Sequence, residues 1–162
     1  MLSISVEGLD ALQTRLGAYP AALTDRLTEK ARALADSLVE KVKFEKLAGE
    51  ALNAGTGALS ASIAAEISSD SENISAAVGS YGDVKYAAIQ EYGGRTGAHE
   101  ILPDKAQALA FLAGGAMHFA RRVEHPGSVI PERSYLRSSL EEMAPDIESA
   151  LSATAGEVWE NA

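Results

Sequence analysis

A chain of 162 residues falls in the range of one compact domain, taken as spanning 1–162, and is long enough to bury most of its apolar surface on folding. Fourteen basic residues against twenty-three acidic ones give a formal charge of -9, the wrong sign for a protein that grips phosphate backbones, so direct nucleic-acid binding is not expected. Cysteine is absent, which removes a disulfide framework, a thiol nucleophile and a cysteine-ligated zinc, and leaves the compartment unread from redox chemistry.

The first ten residues, MLSISVEGLD, have neither a basic n-region nor an apolar h-region. No window approaches the length of a membrane span, so the expectation is a protein made in the cytosol with no membrane partner. Leu2, Ile4 and Val6 alternate with Ser3 and Ser5, the period-two pattern of a half-buried strand that Gly8 ends. A short helix carrying Leu9, Leu12 and Leu16 is expected to stop near Gly17, where glycine supplies a left-handed C-cap.

The clearest helix runs from Pro20 to about Leu47. Its apolar positions Leu23, Leu27, Ala31, Leu34, Leu38 and Val42 recur at spacings of three and four, with Asp25, Glu29, Arg32, Asp36 and Glu40 between them. That stripe needs a sheet or another helix to cover it. Alanine is conspicuous in the composition, which favours close helix packing.

NAGTGALSASI, residues 53–63, opens with turn residues and places a helix start at Thr56. A strand pair follows, Ala64 to Ser69 and Ile74 to Gly79, about the polar turn DSEN. KYAAIQEYGG, residues 85–94, reads as a short helix ending in paired glycines. In it Tyr86, Ile89 and Gly93 share a face while Gln90 and Glu91 point elsewhere.

AQALAFLA and AMHFARRV flank Gly114 and Gly115, both able to take the positive φ of a type I′ turn. The resulting register sets Leu112 opposite Met117, Ala110 opposite Phe119, Phe111 opposite His118, Leu109 opposite Ala120 and Ala106 opposite Val123. Both faces of this hairpin are apolar, so it is either sandwiched within the fold or meets a partner. EHPGSVIPER, residues 124–133, reads as a loop. Leu136, Leu140, Met143, Ile147, Leu151 and Val158 then keep helical phase in one C-terminal helix, kinked or restarted at Pro145. The order predicts an α+β fold: an antiparallel sheet with hairpins, packed on a long N-terminal helix and a C-terminal helix.

Catalytic signals are weak. HEILP at 99–103 lacks the second histidine of the common zinc proteases. His118 is expected beside Phe111, with His99 and His125 in loops. GTGAL lacks the lysine of a P-loop, and no serine stands in a G-x-S-x-G context. Glu91 as a general base has no second group at a definable spacing. A glutamate between tyrosines at a helix end more often builds a packing or assembly surface. No catalytic residue, cofactor or metal is therefore expected, although a metal-dependent hydrolase is kept as a distant alternative.

Five stretches in order are similar to one known family: ISVEGLDALQTRLGAYPAAL with the long helix after it, TGALSASI, YAAIQEYGG, HEILPDKAQALAF and VEHPGSVIPERSYLRSSL. Together they resemble the tail-component family of long-tailed bacteriophages, that of the lambda tail-completion protein (minor tail protein Z), over nearly the whole chain. Ser134 and Tyr135 stand where that family often has proline and phenylalanine, and Ser60 where it often has a basic residue. The resemblance implies a non-enzymatic virion protein, assembled in the host cytoplasm and acting at the head-proximal end of a phage or prophage tail. Its partners would be itself, in a ring of six by the family's habit, together with the tail tube or tail terminator and head-closure proteins. A tail terminator or another head–tail connector is the neighbouring alternative. The residues expected to carry contacts are Tyr86, Ile89, Glu91, Tyr92, Leu112, Met117, Phe119 and Tyr135.

Overall fold

A computed structural model describes residues 9–52, 55–70, 73–104 and 106–161, with the side chains of 9–12 outside the description. The strand expected over residues 2–6 lies outside the described residues. The chain is mixed α+β, as its element order predicts. It groups into two compact units, one of Met1–Lys85 with Ser134–Ala162 and one of Tyr86–Arg133.

In the first unit, helix α1 (Leu9–Lys41) is continuous and runs through Gly17 and Pro20. The stop expected at Gly17 is therefore corrected: that residue keeps helical backbone rather than a left-handed cap. In a helix interior glycine costs about 1 kcal/mol and proline about 3 kcal/mol relative to alanine. The contact of α1 with the C-terminal helix α4 (Arg137–Asn161), including Tyr19 edge-on to Trp159 at 5.4 Å, offsets that loss. Along α1 the expected stripe is the covered face, half-buried from Leu23 to Leu34 and buried at Leu38 and Val42.

Beyond Lys41 the helix relaxes into a π turn, Val42–Lys46, closed by Leu47 N–H donating to Val42 O at 2.9 Å. The extra residue in that turn brings Val42, Lys46 and Leu47 inward together. Lys46 is thus a buried lysine, its side chain 5% exposed, and it is held by two carboxylates, Glu50 and Glu142, each at 2.6 Å. Glu142 also meets Lys41 at 3.0 Å, so one carboxylate on α4 ties both lysines of the α1 terminus. Hydrogen bonds from Lys46 and Lys41 hold the Glu142 carboxyl below its ordinary range; Lys41 is raised by its bonds to Glu45, at 2.8 Å, and then Glu142, and Lys46 by its bonds to Glu142 and then Glu50.

Helix α2 (Ala58–Ser62) starts two residues later than expected, because Gly57 takes the cap position at φ 72°. Thr56 Oγ1 still accepts Ala58 N–H, at 3.5 Å. Strands β1 (Ile63–Ser69) and β2 (Ile74–Ser80) pair antiparallel across the expected turn and pack against α1. Asp70 braces that turn by accepting Asn73 N–H at 2.8 Å.

Helix α4 is unbroken through Pro145, so it neither stops nor restarts there. Its covered row includes Ser139, Thr154 and Val158. Leu140, expected inside, is instead an exposed residue. Ser139 takes the inward place because its hydroxyl donates to Tyr135 O at 2.7 Å and so carries no unpaired polar atom into the interior.

The second unit is a short helix, α3 (Ala87–Tyr92), followed by a two-stranded ribbon. Strand β3 (Gly94–Arg95) pairs with β8 (Val129–Ile130), β4 (His99–Ile101) with β7 (Val123–His125), and β5 (Leu109–Ala113) with β6 (Ala116–Ala120). The first two ladders share one register. Seven residues (102–108) then separate β4 from β5 against two, Arg121 and Arg122, between β6 and β7, so the tip is offset by five residues. Two expectations are corrected here. Val123 pairs with Ile101 rather than Ala106, and EHPGSVIPER contains strand residues at both β7 and β8.

Candidate assembly surface

The tip hairpin forms in the register its sequence predicts, from Leu109 opposite Ala120 to Ala113 opposite Ala116. Gly114 and Gly115 lie at φ 57° and 80°, the positive values of a type I′ turn. Phe111 and His118 stack with ring centroids 5.9 Å apart on one face. Leu112 is 71% exposed, Phe119 73% and Met117 59%. Of the two situations the sequence left open for this hairpin, being sandwiched is contradicted by these exposures. Four large apolar side chains, Phe111, Leu112, Met117 and Phe119, exposed over both faces of a two-stranded ribbon are the feature that marks docking surfaces.

KYAAIQEYGG has a different character. Ala87 and Glu91 form the buried face of α3, with Glu91 2% exposed, whereas Tyr86 and Tyr92 are exposed and Ile89 and Gln90 half-buried. The paired glycines have a backbone reason. Gly93 sits at φ 68°, and a Cβ there would stand 2.7 Å from Glu132 N, so only glycine lets the chain leave α3 directly beside the returning strand. Arg133 N–H donates to Gln90 O at 2.9 Å and closes the base of the ribbon. Gln90 Oε1 is buried with no hydrogen-bond partner among the described residues. Glu91 and Tyr135, the latter 1% exposed, present no side-chain surface to a partner.

HPG forms a tight crossing. Gly127, at φ 86°, lies so close to Thr96 O that a side chain has no room. Its N–H donates to His125 Nδ1 at 3.0 Å, and Ser128 N–H donates to Thr96 Oγ1 at 2.7 Å. His99 and His125, expected in loops, are instead cross-strand neighbours with rings stacked at 5.0 Å. Stacked rings on adjacent strands are a packing contact. Among the described residues no three His, Asp or Glu side chains gather into a group able to hold a metal, and no helix is long and apolar enough to cross a membrane.

Charge is divided unevenly. Tyr86–Arg133 carries five acidic residues (Glu91, Glu100, Asp104, Glu124, Glu132) and five basic ones (Arg95, Lys105, Arg121, Arg122, Arg133). The first unit therefore holds the whole excess of -9. Net charge alone, the quantity legible in composition, conceals that division. Arg122 pairs with Glu100 at 3.3 Å, while Arg121 is exposed and has no ion pair among the described residues.

Comparison of the chain with family models, with curated proteins and with solved structures returned no match.

Proposed function

We propose that this chain is a structural protein of a long-tailed phage or prophage, which completes the head-proximal end of the tail and helps join it to the head. The order of the five motifs supports this reading, and the observation that carries it is the uncovered apolar tip of β5–β6, with Leu112, Met117 and Phe119 all more than half exposed. In this reading the chain's work is mechanical. One patch on each subunit meets a different patch on the next, and a ring closes when the rotation between neighbours is a whole fraction of a turn. Six subunits is the number the resemblance implies. An acidic subunit suits a conduit through which DNA passes without being gripped.

The test is reconstitution: purified protein is added to tails assembled without their own completion protein, and joining to filled heads is scored by electron microscopy and infectivity. Restored joining, with new density at the head-proximal end, is the expected result. Restored control of tube length without joining moves the chain to the tail-terminator role. No association with tails overturns the proposal.

A further inference from the structure

If copies of the chain meet through the β5–β6 tip, as proposed above, the tip either carries both halves of the contact or finds the second half elsewhere. Its backbone carries both. The Gly114–Gly115 turn makes Ala113 and Ala116 a hydrogen-bonded pair, and bonded and non-bonded pairs alternate from there along the register. Phe111–His118 and Leu109–Ala120 are then bonded pairs as well. Ala110, Leu112, Met117 and Phe119 belong to the non-bonded pairs and turn their N–H and C=O groups away from the hairpin. Neither strand has a second neighbour, and none of these four residues makes a backbone bond outside the hairpin among the described residues. The tip therefore has two different open edges, Ala110 and Leu112 along β5, Met117 and Phe119 along β6.

Open edges are ordinarily protected by a charge, a proline, a bulge or a cover. Residues 106–120 hold no Asp, Glu, Lys, Arg or Pro. The register of the tip is unbroken by a bulge, and its large side chains are exposed on both faces. The other hairpin with strands of more than three residues, β1–β2, carries Glu66 and packs against α1. Charge then selects the occupant. The whole excess of -9 lies in the first unit, so copies of the chain repel one another there and approach without that cost at the uncharged tip. Strand length and direction select it too: β5 and β6 are five residues each and antiparallel, so β6 of one copy beside β5 of another repeats the pairing already present within the hairpin.

We propose that the tips of successive copies join edge to edge, β6 of one pairing antiparallel with β5 of the next. The partner is a second copy of this chain, held by backbone hydrogen bonds between added strands. Because the two edges differ, each contact uses one edge of a copy and leaves its other edge open. The contact is thus heterologous and propagates from copy to copy until a ring closes it.

Proline tests the edges without touching the hairpin's own ladder, because the outward N–H that it removes has no partner there. Ala110→Pro blocks the β5 edge and Phe119→Pro the β6 edge, and amide protection retained at Phe111 and His118 confirms an intact hairpin. Valine at the same two positions keeps the N–H at nearly the size of proline. By light scattering each proline variant alone is expected to keep the mass of one chain, and each valine variant to assemble. An equimolar mixture of the two proline variants is expected to stop at two chains, because one β6–β5 pairing remains. Proline variants that assemble like the wild type overturn the edge contact. Valine variants as monomeric as the proline ones overturn it too, and move the contact to the side-chain face with assembly through the tip intact. The wild type gives a second readout that needs no substitution and decides the matter where a proline disturbs the hairpin. Amide exchange at Ala110, Leu112, Met117 and Phe119 is expected to slow at least about tenfold on assembly, and unchanged exchange at all four overturns the pairing. Wild-type protein that is monomeric at every concentration overturns this inference, while the tail reconstitution above judges the tail role separately.

Discussion

Lys46 Nζ lies 2.6 Å from Glu142 Oε1, joining residues 96 positions apart in the chain. The lysine is buried at the π turn and the glutamate is half-exposed on α4, so the contact brings a surface charge to a buried one. The other Glu142 oxygen meets Lys41, which makes this carboxylate the shared element of the network. Glu142→Gln is expected to lower the melting temperature more than Glu50→Gln does, because it removes an anion from both lysines at once. Equal melting temperatures for the two variants would contradict that ranking.

The same network sets the direction of the pH response. Glu142 is held below its ordinary range, so its contribution is complete above that range and is lost as pH falls through the lowered value. Lys41 and Lys46 are raised, so theirs is complete below the ordinary lysine range and is lost as pH rises through the raised values. Melting temperature against pH is expected to fall on the acid side for the wild type and to fall less steeply there for Glu142→Gln.

Two glycines with opposite surroundings give opposite expectations. Gly127→Ala places a side chain against the Thr96 carbonyl at a positive φ, and is expected to destabilise the ribbon by at least about 1–3 kcal/mol. Amide hydrogen exchange at Thr96 and Ser128 reports it locally. Gly17→Ala fills open space within α1 and is expected to stabilise by about 0.5–1 kcal/mol. Loss of stability in the second variant would show that α1 is broken at Gly17 after all.

Gln90 offers a stabilising change. Its buried Oε1 has no partner among the described residues, and an unpaired buried carbonyl costs about 1–3 kcal/mol. Gln90→Met keeps the shape without the polar atom, and is expected to raise the melting temperature. A drop would mean that the amide is paired in solution.

The long-period features were legible in the sequence. Leu23 to Val42 spans enough turns for its spacing to identify both the helix and its covered face, and Gly114–Gly115 fixes the tip register by turn chemistry alone. The two- and three-residue ladders β3–β8 and β4–β7 are too short to alternate visibly, and their partners lie 22 to 36 residues apart. Ser139 hid its burial behind a polar side chain whose bond to Tyr135 O only the folded helix supplies. Lys46 hid its own behind a partner 96 residues away. Of the expected contact residues, Leu112, Met117 and Phe119 are exposed on the tip and Tyr86 and Tyr92 on α3, while Glu91 and Tyr135 are interior. Apolar side chains on both faces about Gly114–Gly115 marked the tip, but no local pattern separates a tyrosine that packs from one that docks.

The absolute mass of the protein in solution, measured by light scattering across a concentration range for the wild type and for Leu112→Asp, tests the central claim most directly. The account predicts a wild-type mass rising to that of a ring, and a folded variant that keeps the mass of one chain. A variant that assembles as the wild type does, or one that loses its secondary structure, would contradict it, the first by removing the tip from the interface and the second by placing Leu112 in the core.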